Sequence, residues 1–164
     1  MIIKGNTTIL HDNINTDEII PGRYLSINNP DELATHTFAD TLPNFRDIIK
    51  KTGIIVAGNN FGCGSSREQA AISLKYSGVK AIIGLSFARI FFRNAINLGL
   101  PVIEIPNDTQ IIDSNDRLII DLNEGLIKNQ TSQQQYQFQP LPDWMLEMIE
   151  AGGYIAYSRS KSRQ

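Results

Sequence analysis

Short apolar runs alternate with longer amphipathic segments through the middle of the chain. The apolar runs are rich in β-branched residues and occupy residues 53–58, 81–86 and 101–105. Between them, residues 66–78 and 87–99 carry apolar side chains at helical spacing. This alternation predicts strand, helix, strand, helix and strand, joined by right-handed crossovers. Because the strands are apolar on both sides, we expect a parallel sheet that is covered on both faces.

Glycine marks the ends of the predicted helices. Gly78 and Gly99 follow the two central helices, in the left-handed position that glycine adopts most easily. A last helix is predicted between Pro142 and the glycine pair at 152–153. The polar residues 158–164 beyond it are expected to fray.

The second half of the chain predicts a different arrangement of strands. Residues 116–129 suggest two short strands around a turn at residues 123–125. Residues 129–139 are rich in glutamine and lack a core-forming period, so we expect a loop there. Since there is no internal repeat, residues 1–164 are expected to form a single α/β domain, whose length allows roughly 70% of the unfolded surface to be buried.

Composition and charge exclude several classes of partner. Hydrophobic residues make up 41% and charged residues 20% of the chain, with a formal net charge of -2. These values give no basic surface for a polyanion, so we expect no nucleic acid partner. No stretch reaches the roughly 18 apolar residues of a membrane span, and the first ten residues lack a signal-peptide pattern. We therefore expect a cytoplasmic protein with no membrane partner.

Cys63 is the only cysteine. It excludes an internal disulfide, and one thiolate cannot hold zinc or an iron–sulfur cluster, which need about three or four protein ligands. We expect no metal site in this chain. A single free thiol also favours a reducing compartment.

The stretch NFGCGSSREQA at residues 60–70 concentrates the candidate chemistry. Ser65 stands three residues before Glu68, ahead of a helical pattern, which predicts a capping box contributing about 1 kcal/mol. Capping does not explain Arg67, whose cation opposes the helix macrodipole in the first turn. An anionic ligand would remove that conflict.

The remaining residues of this stretch are parts of a carboxylate or phosphate cradle. Gly62 and Gly64 allow the backbone to approach a ligand, Ser66 adds a hydroxyl, and Arg67 offers a planar fork. The stretch matches neither nucleotide-binding pattern. The Walker phosphate loop needs four residues between its glycines and then Gly-Lys-Ser/Thr, and the dinucleotide fingerprint needs a third glycine.

Three motifs together resemble one known family. NFGCGSSREQA at 60–70, DNINTDEIIPGRYL at 12–25 and ARIFFRNAINLGLPVI at 88–103 are similar to the small subunits of isopropylmalate dehydratases and homoaconitases in the aconitase superfamily. The resemblance implies a single aconitase swivel-type domain, layered β/β/α with βαβ crossovers and a mainly parallel central sheet. It covers nearly the whole chain.

The resemblance also implies an activity and a partner. Enzymes of this family move a hydroxyl between neighbouring carbons of an acid by removing and adding water. They use a [4Fe-4S] cluster, which is carried by a large subunit, so this chain is expected to bind no cofactor and to act in a heterodimer or heterotetramer. Ser65 is implied as the general base, and Asp17 as a carboxylate that supports the catalytic groups. Such a hydroxyl needs preorganised donors, which a glycine-rich turn at a helix N-terminus supplies.

Substrate contacts follow from the same resemblance. Arg67 is expected to hold a substrate carboxylate by paired bonds, with Ser66 adding a hydrogen bond. Gly62, Gly64, Asn15 and Thr16 are expected to support this loop.

The loop formed by Arg23, Tyr24, Leu25 and Ser26 is expected to read the variable arm of the substrate. Relatives that accept an acidic arm tend to carry Arg where this chain has Ser26. A small uncharged residue favours an alkyl arm, hence isopropylmalate and leucine biosynthesis, although neighbouring Arg23 could reach the arm. Gln69, where relatives commonly have His, is left without a role.

Two other readings remain open from the sequence. Homoaconitate, 2,3-dimethylmalate and citraconate are alternative substrates within the enzyme class. A non-enzymatic module that senses a small acid is the alternative outside it. His11 and His36 lack ligand spacing and are expected to be surface or packing residues.

Overall fold

The computed structural model describes residues 1–105 and 112–162. Its strands are β1 (Ile2–Ile9), β2 (Gly53–Val56), β3 (Ala81–Gly84), β4 (Val102–Glu104), β5 (Arg117–Asp121), β6 (Leu126–Asn129) and β7 (Gln135–Gln137). Its helices are α1 (Thr16–Ile19), α2 (Pro30–Ala34), α3 (Phe45–Thr52), α4 (Glu68–Ser77), α5 (Arg89–Asn97), α6 (Asp143–Glu150) and α7 (Tyr154–Lys161), with a 3₁₀ turn at Gly22–Tyr24.

The strands form one sheet in the order β4-β3-β2-β1-β5-β6-β7. Neighbours from β4 to β1 are parallel, whereas β1, β5, β6 and β7 pair antiparallel. The predicted alternation of β2, α4, β3, α5 and β4 is confirmed, and so are the two strands around the turn at residues 123–125. Strand β1, at the centre of the sheet, was not anticipated from the sequence. The α/β fold class is confirmed.

Burial explains the layers. Every residue of β2 and β3 is buried, as the continuous apolar runs predict. Alternate side chains, such as Ile55 and Ile82, join the helices in one core cluster. The others, such as Ile54 and Ile83, share a second cluster with Leu118 of β5 and with β6. The single sheet is therefore curled, so that its antiparallel half covers one face of its parallel half. The helices cover the other face, which gives β/β/α layers.

Two local predictions were wrong. The glutamine-rich segment 129–139 contains strand β7, because Tyr136 is half-buried and Phe138 is buried while the intervening glutamines face outward. The tail expected to fray instead continues helix α7 to Lys161, whose ammonium lies 2.9 Å from Glu147 and 5.5 Å from the Tyr157 ring. Residues 163–164 of that tail lie outside the described residues.

Gly78 and Gly99 allow the cost of a positive φ to be distinguished from the cost of crowding. Gly78 and Gly99 both have positive φ, at 104° and 74°. A β-carbon on Gly78 would meet nothing within 4 Å, whereas one on Gly99 would lie 2.7 Å from the backbone of Gly152.

We expect Gly78→Ala to cost about 1 kcal/mol through left-handed strain alone. Gly99→Ala should cost about 1–3 kcal/mol more, because backbone must also move. Denaturant unfolding of both variants measures the difference. Equal losses would show that the contact with Gly152 relaxes freely.

Candidate active site

Two loops leave the carboxyl ends of the parallel neighbours β1 and β2 and run side by side. Asn13 N–H donates to the Asn59 carbonyl at 2.8 Å. The N–H groups of Gly62 and Cys63 both donate to the Ile14 carbonyl, at 2.8 and 3.1 Å. Ligand sites of open α/β sheets lie at this edge of the strands. These backbone bonds bring the 12–17 and 60–70 motifs together, although about fifty residues separate them.

The hydroxyl of Thr16 joins the two loops at Ser65. Thr16 is buried, with 1% of its surface exposed, and its N–H donates to the Cys63 carbonyl at 2.8 Å. Its Oγ1 accepts from Ser65 N–H at 3.1 Å and lies 3.2 Å from the Ser65 carbonyl and 3.3 Å from Ser65 Oγ. Ser65 itself is exposed. The buried Thr16 hydroxyl therefore fixes the backbone of Ser65, whose own hydroxyl lies on an exposed residue.

Both motif glycines are required by close approach. Gly62 has φ 77°, and a β-carbon there would lie 2.2 Å from the Phe91 side chain. Gly64 has φ 97°, and its β-carbon would lie 2.6 Å from Asn15 Oδ1. That same amide oxygen accepts from Asp17 N–H at 2.8 Å and caps helix α1. Gly64, Asn15 and Thr16 therefore lie together, whereas Gly62, the fourth expected supporting position, faces Phe91.

Arg67 is paired with Asp17 across the two loops. The Arg67 side chain is 28% exposed and that of Asp17 56%, so the cation lies deeper than its partner. A β-carbon on Gly22 would lie 3.9 Å from both Nη atoms of Arg67. The loop that begins at Gly22 therefore starts beside this guanidinium.

The predicted capping box is wrong. Helix α4 begins at Glu68, and its N-cap is Arg67, which makes no side-chain capping bond. Ser65 lies two residues too early to cap the helix, and its N–H and hydroxyl face Thr16 instead. No side chain caps α4 in the described part of the chain, and the Ala70 N–H already donates to the Arg67 carbonyl at 3.3 Å. The N–H groups of Glu68 and Gln69 are therefore the donors that this helix end can offer to a ligand.

The loop after Gly22 contains two contacts that the sequence did not signal. Arg23 makes a two-pronged ion pair with Asp40, and the Tyr24 ring stacks on His36 with centroids 3.9 Å apart. Neither partner belongs to a motif, and only the tertiary structure brings it near. His36 is therefore a packing residue, as expected.

The remaining predicted site residues lie around this surface. Leu25 packs on the main core, and Ser26 and Ser66 are exposed. The other histidine, His11, is exposed and lies 2.9 Å from Glu18 Oε1. The hydrogen bond from His11 Nδ1 to the Asp12 carbonyl and, after it, the bond to Glu18 raise the pKa of His11 above its ordinary value.

Residues 1–105 and 112–162 contain no group of three or more His, Cys, Asp and Glu side chains that could hold a metal ion. Over the same ranges, no helix is both long and apolar enough to cross a membrane.

The sheet, the two paired loops and the exposed Ser65 near Arg67 are features of one class of protein, and sequence comparison identifies that class. The profile of the aconitase C-terminal domain family matches residues 3–108. The chain belongs to that family, and within it to the small subunits of the 3-isopropylmalate dehydratase type. The resemblance carried by the three motifs is thereby confirmed.

Individual relatives span almost the whole chain. The 3-isopropylmalate dehydratase small subunit of Methanosarcina mazei is 50% identical over 157 residues, which cover 96% of each chain. The methanogen homoaconitase small subunit of Methanothermobacter thermautotrophicus is 51% identical over 154 residues, covering 94% of this chain and 89% of the relative. The crystal structure of 3-isopropylmalate dehydratase from Methanocaldococcus jannaschii superimposes with a TM-score of 0.90 at 43% identity, covering 99% of this chain and 96% of that one.

Removing the Thr16 hydroxyl tests its hold on Ser65. We expect Thr16→Val to lower the free energy of unfolding by about 1–3 kcal/mol and to speed exchange of the Ser65 amide hydrogen, because that N–H loses its acceptor. Thr35→Val is the matched control, since the Thr35 hydroxyl bonds only the Glu32 carbonyl on an exposed helix end. Unchanged Ser65 exchange in Thr16→Val would contradict the contact.

Proposed function

We propose that this chain, as one swivel-type domain, is the small subunit of a 3-isopropylmalate dehydratase. With a cluster-bearing large subunit it interconverts 2-isopropylmalate and 3-isopropylmalate in the cytoplasm, within leucine biosynthesis. The relatives and the solved structure support the subunit and reaction class. The observation that carries the residue roles is the convergence of Ser65, Arg67 and Asp17 at the uncapped end of helix α4.

Arg67 holds the carboxylate of the substrate next to the reacting carbon. A guanidinium has five N–H donors, so it can keep Asp17 and still offer a planar pair to a second carboxylate. The uncapped N–H groups of α4 add donors and a positive dipole end beside it. Asp17 orients Arg67, and Ser66 adds a hydroxyl beside them.

Ser65 removes the proton from the carbon beside that carboxylate. The C–H bond breaks, the Ser65 Oγ alkoxide takes the proton and becomes a hydroxyl, and the electron pair forms the C=C bond as hydroxide leaves the neighbouring carbon. In rehydration, hydroxide adds to the carbon that lost the proton, and the Ser65 hydroxyl gives its proton to the carbon that lost hydroxide, which regenerates the alkoxide. The Thr16 hydroxyl donates to the Ser65 carbonyl at 3.2 Å and lies 3.3 Å from Ser65 Oγ, so rotation of its O–H would direct its one proton to that oxygen while the alkoxide carries charge.

The [4Fe-4S] cluster is assigned to the large subunit. The described residues of this chain do not fit a cluster, since Cys63 is the only cysteine of the sequence and the described ranges hold no ligand group. When the subunits are assembled, the open iron supplies the Lewis acid for the leaving hydroxyl.

The substrate arm is assigned from charge. Overall identity does not separate isopropylmalate from homoaconitate, because relatives named for each enzyme are about equally similar to this chain. The loop itself presents Ser26, which is small and uncharged, and its cation Arg23 is already bound to Asp40. An alkyl arm needs no cation, so isopropylmalate is favoured.

The assembled enzyme tests the substrate. After co-expression with the candidate large subunit and anaerobic reconstitution, we expect the largest kcat/KM for isopropylmalate among isopropylmalate, homoaconitate, 2,3-dimethylmalate and citraconate. Preference for another acid would retain the family and overturn the argument from Ser26. Lack of turnover of all four acids by a complex with an intact cluster would favour a non-enzymatic module.

Ser65→Ala tests the general base. We expect kcat in the assembled complex to fall by about 10²–10⁴-fold, because no other group takes the proton. Folding should be unaffected, since Ser65 is exposed. Ser66→Ala, the neighbouring exposed serine, is the control and should lower kcat/KM by no more than about tenfold, the loss of one hydrogen bond. Wild-type turnover by Ser65→Ala would exclude Ser65 as the base.

A further inference from the structure

Arg23 directly follows Gly22, the residue of this loop that lies beside Arg67. Gly22, directly before it, would place a β-carbon 3.9 Å from both Nη atoms of Arg67. If the Arg23 guanidinium were free, this surface would carry two neighbouring cations. Such a pair would suit a substrate with a second carboxylate on its arm.

The Arg23 guanidinium is instead fixed by a carboxylate outside the motifs. Its Nη1 donates to Asp40 Oδ2 at 2.8 Å, and its Nη2 donates to Asp40 Oδ1. Its Cζ lies 4.6 Å above the centroid of the Tyr24 ring, which stacks in turn on His36 at an interplanar angle of 8°. Two parallel bonds and an aromatic face therefore define one position for this cation.

The pair is accessible as well as neutral. The side chains of Arg23 and Asp40 are 54% and 53% exposed, so a substrate arm can meet them. The Arg23 bond holds the pKa of the Asp40 carboxyl below its ordinary value, so Asp40 stays charged. An arm that ends in carboxylate would have to compete with Asp40 for the same fork and would meet its negative charge. An alkyl arm needs no cation and does not compete with Asp40 for Arg23.

We propose that Asp40 is a specificity-determining positioning residue. It holds the Arg23 guanidinium on the Tyr24 ring and so prevents the guanidinium from binding a carboxylate on the substrate arm. Asp40 acts through Arg23 and needs no contact with the substrate. The inference rests on the proposed function, because it deepens the preference for an uncharged arm.

Asp40→Asn in the assembled, cluster-bearing enzyme tests this role, since it keeps the size of the side chain and removes its charge. The readouts are KM and kcat for isopropylmalate and the inhibition constant of homoaconitate, whose arm ends in carboxylate. We expect homoaconitate to bind about fivefold more tightly relative to isopropylmalate, the upper range for an exposed charge pair. The gain should shrink at high salt.

Three further variants make the test specific. Asp31→Asn removes a charge from an exposed position on helix α2. It should leave unchanged the ratio of the inhibition constant of homoaconitate to the KM of isopropylmalate. Asp40→Glu should keep the wild-type ratio, because the carboxylate remains. Asp40→Asn combined with Arg23→Gln should lose the gain, since the freed cation is its source.

Several outcomes would overturn the proposal. An unchanged ratio in Asp40→Asn, an equal change in Asp31→Asn, or a parallel weakening of both acids would each do so. If Asp40→Asn does not assemble, Arg23→Gln replaces it as the test variant. Arg23→Gln leaves Asp40 unpaired and should weaken homoaconitate binding further. An unchanged ratio in Arg23→Gln would again contradict the role of Asp40.

Failure of the proposed function gives a different result. In that case the wild-type enzyme itself would not turn over isopropylmalate. Wild-type turnover of isopropylmalate together with an unresponsive ratio in the variants would overturn the role of Asp40 alone.

Discussion

The buried Thr16 hydroxyl is the contact on which the site depends. It lies within 3.3 Å of the nitrogen, the carbonyl oxygen and the hydroxyl of Ser65, and it is backed by backbone bonds from Gly62 and Cys63 to Ile14. A loop on the surface of a protein is ordinarily mobile. Here one polar group with no access to water must find its partners in the opposite loop, and this requirement fixes the exposed serine in place.

Within the described residues, the start of helix α4 lacks the side-chain cap that its sequence could have supplied. A serine cap at its start would contribute about 1 kcal/mol. The chain has the residues for such a cap, yet Ser65 is held by Thr16 and Arg67 occupies the N-cap without capping. In the described part of the chain, the N–H groups of Glu68 and Gln69 therefore remain without a side-chain cap beside the paired Arg67 and Asp17. An anionic substrate would supply the missing acceptors.

Charges around the site occur as pairs that bridge separate segments of the chain. Arg67 is held by Asp17, and Arg23 is held by Asp40. Pairing keeps each cation in one position and limits the net charge that the surface presents. The first pair lies where the reacting carboxylate is proposed to bind, and the second lies along the arm. Binding and selectivity can then be adjusted by different carboxylates.

The sequence by itself determined the elements whose cause is local. Continuous apolar runs predicted β2 and β3, and the spacing of glycines and serines pointed to residues 60–70 as the site. Only the tertiary structure decided that Ser65 does not cap α4 and that Asp40 meets Arg23, because both outcomes depend on partners 17 to 49 residues away. Periodicity records which face of an element is buried. It does not record which distant polar group competes for a hydroxyl or a guanidinium, and that competition is settled only when the loops meet.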